Sequence, residues 1–241
     1  MKIFNLDSPL MVFLGRVADL MIINIITLIC CIPIITIGPA LTAAHYVCLK
    51  MVRKEETYII RSYFKSFKEN FKQATLIWLI ILVALLILGG DYYIIAKSGL
   101  EFHKVLRIAI IVVGIVLFLT MMMVFPTLAK FDNTIKATLK NAFFMALLQL
   151  PKVAIMAVLY VAPIFIAGFF YQSIPVVMML GISLPIFLSA MLYNKFFQKI
   201  EDNILAAQEE AEGPKEEEDD PDRIFSDKLD EALIAENMNP Q

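Results

Sequence analysis

The chain has 241 residues, of which 59% are apolar and only 18% are charged, and its mean hydropathy is +0.74. Soluble domains average about 45–50% apolar and roughly 25% charged residues, so this composition excludes an ordinary soluble domain. Residues 201–241 contain 15 acidic and three basic residues, whereas residues 1–200 contain 18 basic and eight acidic residues. The sequence predicts a basic membrane domain, residues 1–205, followed by an acidic cytoplasmic tail, residues 206–241.

Six apolar segments approach or exceed the length of about 20 residues that a helix needs to cross a bilayer. The predicted spans are about 10–32, 39–53, 75–95, 107–129, 152–170 and 174–197, the second being short or re-entrant. Two further segments, about 58–73 and 134–150, combine apolar residues at helical spacing with lysines and predict amphipathic interfacial helices. The predicted fold class is all-α: a polytopic membrane protein with five or six transmembrane helices.

The first apolar region is interrupted at residues 33–39, named here the proline break. Each proline removes a backbone donor and crowds the carbonyl four residues earlier, and hydrocarbon tolerates such a break only where protein or a wet cavity covers it. We interpret the break as a hairpin tip, a re-entrant loop or a packed kink that leads into a small-residue helix. Its candidate structural or functional residues are Pro33, Thr36, Gly38, Pro39, Thr42 and Ala43.

The predicted interfacial helix at 58–73 carries basic and aromatic residues together. Lysines at phosphate level and aromatic rings at the acyl boundary are typical of a helix on a membrane surface. Nucleic-acid binding is the less favoured interpretation, because the segment adjoins an apolar span. The candidate lipid-interface residues are Arg61, Phe64, Lys65, Phe67, Lys68, Phe71 and Lys72.

The distribution of lysine and arginine predicts the orientation. The basic segments 50–73 and 130–151 are expected on the cytoplasmic side, together with the tail. Residues 10–49 then cross once, with the N-terminus outside, or twice, with the N-terminus inside. We favour six spans slightly, since about forty apolar residues surround the two prolines.

The remaining polar residues carry no motif for a catalytic, metal or cofactor site, so we expect a protein that is not an enzyme and holds no cofactor. Asn24 is expected to hydrogen-bond to a neighbouring helix, His45 to serve packing, and the three cysteines to behave as small hydrophobes. In the tail, residues 225–236 show the pattern of one short helix, which is either a docking motif or an idle segment.

Several stretches resemble the bacterial YesL family. They are Ile-Pro-Ile-Ile-Thr-Ile-Gly-Pro-Ala-Leu-Thr-Ala-Ala in residues 32–46, Phe-Lys-Ser-Phe-Lys-Glu-Asn-Phe-Lys-Gln-Ala at 64–74, and Lys140-Asn141-Ala142 before Leu150-Pro151. The resemblance covers about residues 1–205. Members are small polytopic membrane proteins of Gram-positive bacteria, often encoded beside carbohydrate ABC importers, and no catalytic residue is known for them.

The resemblance implies a non-catalytic accessory or regulatory role in carbohydrate uptake, at the bacterial cytoplasmic membrane. It implies importer permease or ATPase subunits as partners, and no nucleic acid. The alternative is a small transporter or channel that uses the broken helix at residues 33–39, since interrupted spans often build binding sites. The scarcity of ionisable residues in the apolar spans speaks against this alternative.

Overall fold

A computed structural model describes residues 9–55, 58–97 and 104–212, which are almost entirely helical and contain no strand. The α-helices of these residues are α1 Pro9–Cys31, α2 Ile37–Arg53, α3 Ile59–Lys97, α4 Lys104–Lys130, α5 Ile135–Leu148, α6 Leu150–Phe169, α7 Ile174–Leu180 and α8 Ser183–Glu212. Short 3₁₀ turns, Ile34–Thr36 and Tyr171–Ser173, precede α2 and α7. The predicted helix within 225–236 lies outside the described residues.

Among the described residues, five helical segments are long and apolar enough to cross a membrane. They are Pro9–Cys31, Ile34–Arg53, Ile59–Ile95, Arg107–Lys130 and Leu150–Phe169. A bent pair, Tyr171–Leu180 and Ser183–Glu210, makes a sixth if its two helices, which meet at 57°, form one span. The prediction of an all-α polytopic protein with five or six spans is confirmed.

The predicted interfacial segment 58–73 and the predicted span 75–95 belong to one uninterrupted helix, α3. No glycine or proline separates the two segments, so nothing removes a backbone hydrogen bond between them. At 1.5 Å per residue the 39 residues of α3 extend about 58 Å, nearly twice the hydrocarbon thickness of about 30 Å. Helix α3 is therefore longer than one crossing requires, and its charged first half packs against α2.

Helix α2 is the central helix of the fold. Ten of its 17 residues are buried, compared with four of the 23 residues of α1. It packs against α1, α3 and α4, and its alanines at 40, 43 and 44 are completely buried. Small side chains let the neighbouring backbones approach closely, so α2 is surrounded mainly by protein while the other apolar helices keep wide exposed faces.

The second predicted interfacial segment, 134–150, contains α5, which lies along the end of α4. Thr134 caps α5 by accepting a hydrogen bond from the Ala137 amide at 3.4 Å. Gln73 of α3 donates to the Asn133 carbonyl at 2.6 Å and contacts Thr138 Oγ1 at 3.3 Å. These bonds attach the start of α5 to the middle of α3.

The predicted span 174–197 is divided, because α7 ends at Leu180 and α8 begins at Ser183. Helix α8 continues to Glu212, past the predicted end of the membrane domain at residue 205. Contacts divide the chain into two units, Met1–Asn194 and Lys195–Gln241. In the second unit the described residues are the last part of α8, in which 202–210 are exposed. The candidate site lies entirely in the first unit.

Candidate functional site

The proline break is closed by side chains that bond to its carbonyls. Trp78 Nε1 donates to the Ile34 carbonyl at 2.8 Å. Thr36 Oγ1 lies 2.6 Å from the Cys30 carbonyl and 2.8 Å from the Pro33 carbonyl, so its hydrogen is shared between them. Backbone carbonyls released from helical bonding need such partners in an apolar environment.

The start of α2 lies directly against the backbone of α3. A side-chain carbon at Gly38 would overlap the Ala74 carbonyl oxygen and lie 2.7 Å from Trp78 Cβ. Only glycine permits this approach, which explains the glycine of the break. Thr42 Oγ1 donates to the Gly38 carbonyl at 2.9 Å, and Tyr63 Oη donates to the Ala40 carbonyl at 3.2 Å.

The six candidate residues of the break divide into two groups. Gly38, Pro39, Thr42 and Ala43 are buried in α2, whereas Pro33 is exposed and Thr36 partly exposed. Helix α2 begins at Ile37, so Pro39 occupies its third position. Its missing amide is harmless there, because the first amides of a helix have no partner within it.

The break is the tip of a helical hairpin. Asn24 of α1 bonds to the Ser183 amide at 3.0 Å, and Cys48 Sγ of α2 lies 4.0 Å from the Ser183 carbonyl. Residues before and after the break thus meet at one residue of α8, which requires α2 to return alongside α1. The chain therefore reverses direction at the break, as in the hairpin considered from the sequence.

Asn24 bridges the interruption between α7 and α8. Its Nδ2 donates to the Met178 carbonyl at 2.8 Å, and its Oδ1 accepts from the amides of Ile182 at 2.8 Å and Ser183 at 3.0 Å. The side chain is completely buried. One asparagine therefore bonds to a carbonyl at the end of α7 and to two amides at the start of α8. The prediction that Asn24 hydrogen-bonds to a neighbouring helix is confirmed.

A second buried network joins α2, α6 and α8 around His45. Ser189 Oγ donates to the Ile186 carbonyl at 2.7 Å, so it accepts the hydrogen of Tyr160 Oη at 3.2 Å. Tyr160 Oη must then accept from His45 Nε2 at 3.2 Å. This leaves His45 Nδ1 to accept from Tyr193 Oη at 3.2 Å. A neutral imidazole has one donor and one acceptor nitrogen, and both are used.

This network predicts a neutral His45 with its proton on Nε2. We expect ¹⁵N NMR of the detergent-solubilised protein to show a protonated Nε2 and an unprotonated Nδ1. The chain has only two histidines, so the variant H103Q leaves a single ring to observe. A ring protonated on Nδ1 would contradict the network.

The substitution Tyr160→Phe removes the group that links His45 to Ser189. We expect a loss of about 1–3 kcal/mol in stability, because a buried donor is left unpaired, together with mixed tautomers in the same spectra. Tyr171 is exposed, and Tyr171→Phe serves as the matched control that changes neither measurement.

The candidate lipid-interface residues lie mostly on one exposed face of α3. Arg61, Phe64, Lys65, Lys68, Phe71 and Lys72 are exposed. Phe67 differs, since it is partly buried and stacks on the ring of Tyr63 at a centroid distance of 6.4 Å. The opposite face carries the buried Tyr63, Ser66 and Ala74, and it packs against α2.

Sequence reasoning did not identify the bond of Trp78 to the proline break, where its side chain is only 8% exposed. It also did not identify the Tyr160, Tyr193 and Ser189 cluster, which packing alone brings together. The available signal was the presence of tyrosines within apolar helices, where a buried hydroxyl requires a partner.

Residues 20–92 match the model of a family described as "Protein of unknown function, DUF624". No curated protein and no solved structure is significantly similar to the chain. The matched segment extends from the buried part of α1 through the proline break and α2 into α3. It therefore contains the helical hairpin and the contact between Gly38 and Ala74. The match is consistent with the YesL-like stretches at 32–46 and 64–74.

The three cysteines are free, and Cys48 is buried. Within residues 9–55, 58–97 and 104–212, no group of three or more histidine, cysteine, aspartate or glutamate side chains is placed to hold a metal ion. The polar side chains of the two buried networks are Asn24 in one and His45, Tyr160, Ser189 and Tyr193 in the other. Their chemistry is that of neutral donors and acceptors.

Proposed function

We propose that the protein is a non-catalytic accessory or regulatory subunit of a membrane complex that takes up carbohydrate. The observation that carries the proposal is the closure of the proline break: Trp78 and Thr36 bond to its carbonyls, and the Ala74 backbone covers Gly38. When the backbone carbonyls of a broken helix are bonded within the protein, they are not available to bind a substrate, so a structural role is favoured.

The partners that we propose are the permease or ATPase subunits of an ABC sugar importer, in the bacterial cytoplasmic membrane and with the C-terminus on the cytoplasmic side. The carbohydrate part of this proposal rests on the resemblance to the YesL family.

Affinity purification of the tagged chain in gentle detergent, after crosslinking in bacterial cells, tests the proposal. We expect importer permease or ATPase subunits at least about tenfold above the amount recovered with an unrelated polytopic protein carrying the same tag. Recovery of the chain alone would contradict the accessory role.

A small transporter is the second candidate, and one observation favours it. Asn24, within α1, bonds to both sides of the interruption between α7 and α8. Discontinuous helices that meet near one polar residue are common in transporter binding sites. Purified protein in liposomes should then accumulate a labelled sugar or ion by itself, and liposomes without uptake would exclude this candidate.

A further inference from the structure

The exposed face of α3 continues without rotation from its charged half into its apolar half. Lys65 and Val83 are 18 residues apart, as are Lys68 and Leu86, and 18 residues make five full helical turns. Val83 and Leu86 are 54% and 67% exposed. The lysines therefore point in the same direction as side chains that face lipid in the apolar half.

The charge on this face is positive. Residues 59–73 contain four basic side chains, Arg61, Lys65, Lys68 and Lys72, and one acidic side chain, Glu69. Glu69 pairs with Lys65 at 3.9 Å, and both side chains are largely exposed. Lys68 and Lys72 lie nearest to the apolar half and are exposed. The neighbouring Phe71 is 38% exposed, and its ring contacts Phe67 at a centroid distance of 5.6 Å.

Distance along the helix separates the four basic residues. The apolar run begins at about Leu76, so at 1.5 Å per residue Lys72 lies about 6 Å and Lys68 about 12 Å from it, whereas Arg61 lies about 22 Å away. The headgroup layer on each side of a bilayer is about 5–7 Å thick. Lys72 and Lys68 are therefore the basic side chains of this face that lie closest to that layer, and Arg61 is the farthest from it.

We propose that Lys68 and Lys72, together with the neighbouring Phe71, form a binding site for the headgroup of an anionic phospholipid. The ammonium groups contact the phosphate and the negative headgroup, while the Phe71 ring contacts the upper part of the acyl chains. The occupant is a lipid, because the same face of the same helix continues directly into the lipid-facing residues. This inference does not depend on the accessory role.

Native mass spectrometry of the purified full-length chain tests the site. The protein is incubated with equal amounts of phosphatidylglycerol and phosphatidylcholine that have the same acyl chains. We expect at least fivefold preferential retention of phosphatidylglycerol. The double variant K68Q/K72Q should reduce this ratio to nearly one, because each lysine near an anionic surface contributes about fivefold, and K68R/K72R should preserve it.

The matched control removes the same charge farther from the membrane. Lys54 and Arg61 are both exposed, and K54Q/R61Q should keep the preference of the wild-type chain. An equal loss in K54Q/R61Q and K68Q/K72Q would overturn the proposal, as would unchanged retention in K68Q/K72Q. Melting temperatures of all variants identify any loss caused by unfolding, which these exposed positions are not expected to produce.

A photo-crosslinking residue at Phe71 tests the occupant in the cell membrane. An adduct with the mass of an anionic phospholipid supports the site. A protein adduct, whether with another protein or with the C-terminal residues of this chain, would show that an acidic polypeptide occupies the face and would overturn the proposal.

Discussion

Replacing Gly38 with alanine is expected to separate α2 from α3 and to destabilise the protein by about 3 kcal/mol. The added methyl group would overlap the Ala74 carbonyl oxygen and lie 2.7 Å from Trp78 Cβ. Neither obstacle is the flexible end of a side chain, so relief requires the helices to move apart. The displacement would also lengthen the bond from Trp78 to the Ile34 carbonyl, which holds the proline break.

Thermal unfolding in detergent, followed by size-exclusion chromatography, measures this loss. A decrease of about 10 °C in melting temperature corresponds to the expected change for a chain of this size. Gly114 is the matched control, because a side-chain carbon there has nothing within 4 Å. Gly114→Ala should leave the melting temperature unchanged or raise it slightly. Equal stability of the two variants would refute the close contact of α2 with α3.

The substitution Asn24→Ala is expected to destabilise the junction of α7 and α8 by about 3 kcal/mol. It removes partners from the Met178 carbonyl and from the amides of Ile182 and Ser183. An unpaired backbone group is costly in an apolar environment, and three such groups would lie together. Asn24→Asp retains an acceptor for the two amides but no donor for Met178, so it tests the two halves of the bridge separately.

The melting temperature of Asn24→Ala in detergent measures the loss of stability. The rate at which a cysteine introduced at position 182 reacts with a thiol reagent measures how accessible the junction of α7 and α8 is. Labelling should be faster in Asn24→Ala than in the otherwise native chain. Asn203 is exposed on α8, and Asn203→Ala should alter neither stability nor labelling. Unchanged labelling in the Asn24 variant would show that the interruption is held by other contacts.

The two interruptions are built differently, although both depend on α1. At the proline break, a threonine and a tryptophan bond to carbonyls of the interrupted segment itself. Between α7 and α8, the bonds come from a distant helix through Asn24. Both interruptions therefore depend on tertiary packing, the first through Trp78 of α3 and the second through Asn24 of α1.

Several features followed from the sequence because they arise from local composition. Long apolar segments must become helices in a bilayer, since every backbone group has to be bonded within the segment. The range of five or six spans, the interruption near Pro33 and the amphipathic character of residues 58–73 are of this kind. The exposed positions of Lys65, Lys68 and Lys72 also followed, because helical spacing determines which residues share a face.

Only the tertiary structure decided which polar groups meet. The partners of Asn24 are 154 to 159 residues away in the chain, and those of His45 are 115 and 148 residues away. No local pattern specifies such pairs, because they depend on how whole helices cross.

The proline break shows both kinds of information. Its interruption is a property of two prolines and a glycine, and the sequence alone determined it. Its hairpin geometry, and the reason why position 38 must be glycine, arise from contact with Ala74 and Trp78 of α3. Gly38 meets Ala74 and Trp78 only when the helices pack closely in the folded protein. The sequence by itself shows only that position 38 has no side chain that would block this contact.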